Sequence, residues 1–546
     1  MSHGPPTLVY DGDCAICRYW VTYWQGLTNE RVVYRPYQEA ATDFPTIPLE
    51  AFQRAIQFIE PDGHVYSGAA ATFRVLRQVP GRAAWWWCYS HLPGFAGTSE
   101  WAYEGAARRR GLLNRVTTLL WGPSLQAERS VLVSWVFLRL FGAIYVAAFA
   151  SLGVQILGLI GHAGILPLGD YLEAAHQALG NSGYLLLPSL FWVNSSDTAL
   201  VAGTVVGALL GLLVVVDRWT RPALIGLFAL YLSYVYAGQD FMSFQWDVLL
   251  LEAGFLAIFL TGGSRIVVWL YRWLVFRYLF LAGIVKLLSG DPTWHGLTAL
   301  EYHFWTQPLP TPLAWYAAQL PPWLLIGGTA ATLIIELGSV FLIFLPRRLR
   351  AVAACCVLLL QSLIVLTGNY NFFNLLTMLL CVFLFDDVAL GRLIPQSLES
   401  WAQARAPLRG RAATVTATAL ALICFPLFRP ALWNIPHQPR LDWQMWFASL
   451  GSVRENPWIV SLMRRLLEGS PSVLALLDSN PFADGPPKYV RAQLYEYRFA
   501  DRRTHIVTGQ WWVRRPGGLY FPQVSLADFG RAADRETAPP PGSSRG

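Results

Sequence analysis

From residue 131 to residue 428 the chain is a succession of long apolar stretches separated by short polar ones. A helix that crosses a bilayer needs about 20 mostly apolar residues. Runs near 131–153, 199–216, 222–237, 247–261, 266–288, 323–345, 351–367, 371–386 and 413–428 predict about nine spans, several on the short side. Leu185 to Val193 is too short to cross and reads as a re-entrant or interfacial segment. Gly203, Gly207 and Gly211 form a small-residue stripe, which predicts close helix packing in the second span.

The flanks have a different pattern. In residues 1–115, short β-rich runs at Thr7–Tyr10, Val32–Tyr37, Ala55–Ile59 and His64–Ser67 alternate with helix-like stretches at 18–27, 69–79 and 99–110. Pro61-Asp62-Gly63 marks a hairpin between the last two strands. Beyond residue 430 the chain is no longer hydropathic. Asn456-Pro457 and Ser470-Pro471 each place an N-cap before a proline at the first helical position, predicting helices at 457–468 and 471–478. Tyr489–Phe499 and His505–Val513 alternate like a hairpin around Asp501-Arg502-Arg503, and the last dozen residues have a disordered composition. The expected layout is a soluble domain (1–115), a helical membrane region (125–428), an extramembrane α+β part (429–515) and a partly disordered tail (516–546).

Composition agrees with the pattern. Of 546 residues, 54% are hydrophobic and 14% charged, against about 25% charged in soluble proteins. The net charge of +7 needs no nucleic acid, because the arginines stand where a membrane protein uses them. Arg108, Arg109, Arg110, Arg115 and Arg129 precede the first span. With nine alternating spans, loops carrying Arg218 and Arg221, Arg265, Arg347, Arg348 and Arg350, and Arg392, Arg405, Arg409 and Arg411 share that side. The opposite loops, 154–198, 238–246, 289–322 and 368–370, contain neither Lys nor Arg. The positive-inside bias then puts the N-terminus in the cytoplasm and the C-terminal region outside. The polar first residues lead straight into a strand, so no signal peptide is expected. Seven scattered cysteines do not make a secreted disulfide framework.

Two sets of residues suggest chemistry. The first is Cys14-Ala15-Ile16-Cys17, between a strand and a helix and preceded by Asp11-Gly12-Asp13. A cysteine at a helix N-terminus meets free N–H groups and the macrodipole, which favour the thiolate. Cys14 is then the attacking thiolate and Cys17 the resolving thiol, with Asp11 and Asp13 beside them. The alternatives are an idle buried pair or half of a zinc site, which would need two further ligands. The second set lines the Lys- and Arg-free loops. Gly238–Trp246 offers Gln239, Asp240, Gln245 and Trp246, with Glu252 two turns further in. The loop 289–322 is long enough to be functional and carries His295, Glu301, His303 and Gln307, and Asn369 and Asn371 follow in a third mouth. His295, His303 and Glu301 could hold a metal, but nothing else in their spacing supports one, so no metal is expected. Arg139, Glu252, Arg277, Lys286 and Glu336 fall inside apolar runs and should be paired or face a cavity. Depth suggests Arg277 with Glu336 and Lys286 with Glu252. Such pairs serve either helix register or acid–base relay. No GxSxG, HExxH, phosphate loop or dinucleotide fingerprint is present.

The run Tyr10–Cys17 resembles the signature of the DCC family of thiol-disulfide oxidoreductases, as does FIEPDGHVYSGAAATFRVL, although no proline precedes the Ala55 strand where thioredoxins keep one. That resemblance implies a thioredoxin-like fold. Residues 125–515 resemble the lipase maturation factor family through Gly238-Gln239, Phe244–Phe255, Arg272–Leu287, Leu297–Pro310, Gly368–Thr377, Asp442–Leu450, Asn480-Pro481-Phe482 and Pro487–Tyr497. This implies a polytopic membrane protein that helps exported lipases or related hydrolases reach their active state. The N-terminal dithiol domain, which the animal members lack, implies a bacterial inner (cell) membrane. Expected partners are the lipid bilayer, an exported lipase or hydrolase client and a thiol redox partner, with no cofactor and no nucleic acid. Two other classes stand beside this reading. The helical bundle could be an enzyme or transporter for a lipid or quinone, using Glu252, Lys286 and Glu336, or the whole could be a thiol oxidoreductase with a membrane anchor.

Overall fold

The computed structural model describes residues 4–121, 129–242, 244–260, 264–307, 310–404, 419, 457–477 and 487–527. The expected ninth span at 413–428, residue 419 apart, and the tail beyond residue 527 lie outside the described residues. Two compact units result, Met1–Arg129 with Phe344–Val352, and Ser130–Ile343 with Ala353–Gly546.

The first unit is a small α/β domain. Strand β1 (Thr7–Tyr10) leads into α1 (Ala15–Thr28) and β2 (Val33–Pro36), and β3 (Gln57–Ile59) and β4 (Val65–Ser67) form the expected hairpin. The sheet order is β2-β1-β3-β4, with β1 parallel to β2 and β3 antiparallel to both its neighbours. Strand periodicity sends adjacent side chains of β1 to opposite faces. Leu8 packs with Val21, Trp24, Phe58 and Val75, whereas Val9 packs with Ala40, Phe52 and Ile59. Helices α2 (Gly68–Arg77), α3 (Ala83–His91), α4 (Phe95–Arg108) and α5 (Arg110–Trp121) follow. The hydropathy pattern anticipated α2 and α4 but not α3, whose AAWWWCYSH run has no periodic apolar face.

The second unit is helical and of membrane type. Its long helices are α6 (Val131–Ile160), α7 (Asp197–Val215), α8 (Thr220–Ala237), α9 (Gln245–Ala257) and α10 (Arg265–Leu288). Short helices α11 (Ala299–Thr306) and α12 (Pro312–Ala318) lead into α13 (Pro322–Leu337), which continues as a 3-10 turn to Phe344. Helices α14 (Arg347–Thr367) and α15 (Phe373–Leu380) follow. Among the described residues, five segments are long and apolar enough to cross a membrane: Val131–Ile160, Asp197–Val215, Arg265–Leu288, Pro322–Phe344 and Arg347–Thr367. The runs expected to cross at 222–237, 247–261 and 371–386 are helical but are not among these five. Leu185–Val193 forms only short turns.

Helix α6 is the spine of this unit. Phe137, Phe141, Tyr145 and Phe149 recur every fourth residue, so they share one face and are fully buried. Tyr271 and Phe383 stack on each other 4.2 Å apart, and Phe137 lies 4.6 Å from Phe383. Gly207 and Gly211 of the α7 stripe meet α6, whereas Gly203 faces Tyr234 of α8. A methyl group on Gly211 would lie 2.9 Å from Val146 Cγ2, and one on Gly142 would lie 2.8 Å from the Gly211 carbonyl. Only glycine on both helices allows backbones this close.

After α16 (Pro457–Leu467) and α17 (Pro471–Leu474) comes a two-stranded antiparallel sheet, β5 (Val490–Phe499) and β6 (Trp512–Val524). The expected strand at His505–Val513 is displaced. Residues Arg502–Thr508 form a short helix, α18. Asp501 accepts from Thr504 N at 2.8 Å and Thr504 Oγ1 at 3.1 Å, and Gly509 ends the helix at φ 69°. This N-cap and C-terminal glycine override the alternation of the sequence.

Candidate functional site

The dithiol sits where β1 runs into α1. Cys14 occupies the N-cap position of α1 in an extended conformation, its N–H bonded to Asp11 O at 3.3 Å. Cys14 and Cys17 are both half-buried thiols. Burial, then the hydrogen bond to Cys14, pushes the Cys17 thiol up to about 12. Gln38, just beyond β2, clamps the loop. Its Nε2 donates to Asp11 Oδ1 at 3.0 Å and Asp13 Oδ2 at 3.2 Å, and its Oε1 accepts from Gly12 N at 3.0 Å. A Cβ on Gly12 would meet Pro36 Cβ at 2.8 Å and Gln38 Oε1 at 2.9 Å, so glycine is required there. Arg18 Nη1 donates to Gly12 O at 2.7 Å, and Arg110 stands 4.0 Å from Asp11. The structure thus brings Asp11, Asp13, Cys14 and Cys17 together. Gln38, Arg18 and Pro36 were not singled out in the sequence, and Arg110 was named there only for orientation, because their spacing from the cysteines follows no motif. A proline does flank the loop, but it comes from β2.

In the second unit, the three polar mouths converge at one end. Trp246 stacks on Phe244 at 4.5 Å and meets Phe373 at 6.1 Å, joining the first mouth to the third. Buried Gln307 donates to Thr367 O at 2.6 Å and Phe304 O at 3.2 Å, and Pro310 pairs with Gly368, joining the second mouth to the third. Gln239, at φ 50°, donates to Leu166 O in the loop after α6 at 3.3 Å. Asp240 precedes the turn into α9, and Gln245 is exposed at the first position of α9. Asn369 and Asn371 are exposed and bond each other locally, Asn371 N to Asn369 Oδ1 at 3.0 Å. They do not join the buried contacts.

The C-terminal region reaches the same end. Trp315 on α12 donates to Ala500 O at 2.8 Å and lies 4.6 Å from the His505 ring and 5.3 Å from Trp511. Arg465 donates to Gly164 O at 3.1 Å, Ser470 to Ala163 O at 2.7 Å, and Ser461 to Ile165 O. The C-terminal segments and the loops at 161–166, 289–322 and 368–374 therefore form one continuous surface layer.

Each expected intramembrane charge has a partner, but both pairs suggested by depth are exchanged. Arg277 pairs with Glu252, and Lys286 contacts both oxygens of Glu336 at 2.6 and 2.7 Å. Arg277 and Lys286 are nine residues apart on α10, or half a turn out of phase at about 100° per residue. They face α9 and α13 respectively. Arg139 pairs with Asp217 and reaches Thr220 at 3.4 Å. His303 is half-buried, and burial with the nearby Lys286 ammonium holds its imidazole below the usual range. His295 bonds the Asp291 carbonyl at 3.1 Å. Among the described residues, no three His, Cys, Asp or Glu side chains gather as metal ligands. A buried carboxylate not foreseen in the sequence is Asp387, which accepts from Val131 N at 2.9 Å and Val133 N at 3.0 Å at the start of α6.

Residues 132–392 match the family described as lipase maturation factor transmembrane domain, 426–522 the lipase maturation factor C-terminal domain, and 8–116 the DCC1-like thiol-disulfide oxidoreductase. The chain is 32% identical to lipase maturation factor 2 of Homo sapiens, over 72% of this chain and 82% of that protein. It is 31% identical to lipase maturation factor 2 of Gallus gallus, over 72% and 81%. Against lipase maturation factor 1 of Mus musculus the figures are 31%, 72% and 87%. No solved structure matches the chain.

Proposed function

Because the chain belongs to the lipase maturation factor family, we propose that it is a membrane-embedded maturation factor for exported lipases or related hydrolases. The observation that carries this reading is the continuous layer made by the mouths and the C-terminal region. An unfolded or unassembled client would dock there, near Gln239, Asp240, Gln245, Trp246, His303, Gln307, Asn369 and Asn371. The arginine distribution supports about nine spans in a bacterial inner membrane, with the N-terminus cytoplasmic and this layer outside. The pairing of Arg139, Glu252, Arg277, Lys286 and Glu336 favours helix register over acid–base relay.

The mixed four-stranded sheet with a CxxC between β1 and α1 supports a thioredoxin-like dithiol domain. In it, the Cys14 thiolate attacks a substrate disulfide, forming a mixed disulfide and expelling one substrate thiolate. Cys17 then gives up its proton and attacks Cys14 Sγ, releasing the second substrate thiol and leaving a Cys14–Cys17 disulfide for a redox partner to reduce. A cytoplasm-facing dithiol cannot touch an exported client, so the two activities would be separable. The test is the specific activity of a co-expressed secreted lipase, per mass secreted, with the full chain, with Cys14→Ser, and with residues 430–515 deleted. The expected result is a rise that survives Cys14→Ser and disappears with the deletion. A rise that survives the deletion would overturn the assignment of the client to this layer.

A further inference from the structure

Helix α5 has an apolar stripe that the first unit does not cover. Leu112, Val116 and Leu119 recur at i, i+4 and i+7 and so share one face. They are 61%, 41% and 66% exposed. The opposite side of the helix packs inward. Thr117 is buried, and its carbonyl accepts from Tyr19 of α1 at 3.5 Å. Arg115 flanks the stripe and is exposed, as is Arg109 just before the helix.

Three observations identify what covers this face. Only nine residues separate Trp121 from Val131, the start of a candidate span. Residues Phe344–Val352 belong to the same compact unit as α5. Within it Arg348, the second residue of the candidate span Arg347–Thr367, donates to the Leu119 carbonyl at 3.4 Å. The C-terminal turn of α5 is thus bonded to the first turn of that candidate span. Finally, Arg109 and Arg115, with Arg347 and Arg348 in that first turn, would meet anionic headgroups, and arginine stems can lie along apolar surface while their heads stay in the polar layer.

We propose that α5 is an interfacial helix. Leu112, Val116 and Leu119 lie in the acyl boundary of an anionic leaflet and hold the dithiol domain flat against the membrane. The thiols presented to Cys14 would then be those of membrane-apposed substrates.

The test uses the full chain in lipid nanodiscs, with the native cysteines replaced and a nitroxide at Leu112→Cys, Val116→Cys or Leu119→Cys. Gln53→Cys, on an exposed helix of the same unit, is the aqueous control. In discs containing phosphatidylglycerol, oxygen should collide with the stripe labels more than a water-soluble nickel chelate does, with the reverse at residue 53. The shielding should weaken in phosphatidylcholine alone. Nickel accessibility equal to that at residue 53 overturns the proposal. Exclusion of both oxygen and nickel also overturns it, because the face would then be covered by protein. Equal shielding in both lipids removes the role given to the arginines. In case cysteine replacement disturbs folding, a benzophenone side chain at position 112 or 119 of the otherwise native chain gives a second reading. Photocapture of lipid is expected, and capture of polypeptide alone overturns the proposal.

Discussion

In the dithiol loop, burial beside Cys14 raises the Cys17 thiol to about 12, so its thiolate is scarce at neutral pH. The thiolate is the species that reacts with alkylating reagents. Iodoacetamide at pH 8 should therefore modify Cys14 well before Cys17, and Cys17 should respond only as the pH approaches 12. Peptide mass spectrometry of timed samples reads this directly, and equal rates at pH 8 would remove the basis for the two roles. The Lys286–Glu336 pair gives a second prediction at this scale. Glu336 is 6% exposed, and removing one partner of a buried pair costs about 3–5 kcal/mol. Glu336→Gln should lower thermal stability in micelles by that order, and Lys286→Met with Glu336→Leu should recover most of it. If Glu336→Gln folds as stably as the parent while lipase maturation fails, a relay role regains weight. The identity of these charges was legible in the sequence and their pairing was not. Position along a run gives depth, but the partner depends on azimuth, and half a turn separates Arg277 from Lys286.

Among the elements, α12 is the clasp between the membrane unit's loops and its C-terminal sheet. Trp315 donates its indole N–H to Ala500 O and packs beside His505 and Trp511, themselves 4.0 Å apart. Trp315→Ala should cost about 3–5 kcal/mol at this contact and release the 487–527 segment. Limited proteolysis should then cut there first, whereas unchanged protection would mean that the other contacts suffice. The α6–α7 crossing should be as intolerant of bulk. Gly211→Leu has no room beside Val146 and the Gly142 backbone and should abolish accumulation of folded protein, measured by monodispersity after extraction. That crossing was legible because a glycine stripe in an apolar helix has few other uses. Helix α18 was not, because the alternation of His505–Val513 obscured a local cap at Asp501 whose effect depends on a hydrogen bond to Thr504. The convergence of the mouths was foreseen only as a shared side. The contacts that build it, such as Gln307 to Thr367, join residues 60 apart, a separation no local pattern encodes.

At the scale of the whole molecule, one buried side chain ties the beginning of the membrane unit to a segment 256 positions later. Asp387 accepts the N–H groups of Val131 and Val133 at the start of α6 and so occupies the place of an N-cap, supplied from elsewhere in the chain. Asp387→Ala should cost about 1–2 kcal/mol, with Asp387→Asn recovering part of it, as read by thermal unfolding in micelles. No loss in either would show that water serves those groups equally well. The arrangement also sets an order in time. The capping residue is made 256 positions after the residue it caps, and at about 5–20 residues per second the ribosome needs roughly 10–50 s to reach it. The first turn of the helix that enters the membrane first is therefore capped only after its body can already pack against α7. A chain arrested before residue 387 should leave that end open to a membrane protease, and a chain arrested well past it should not.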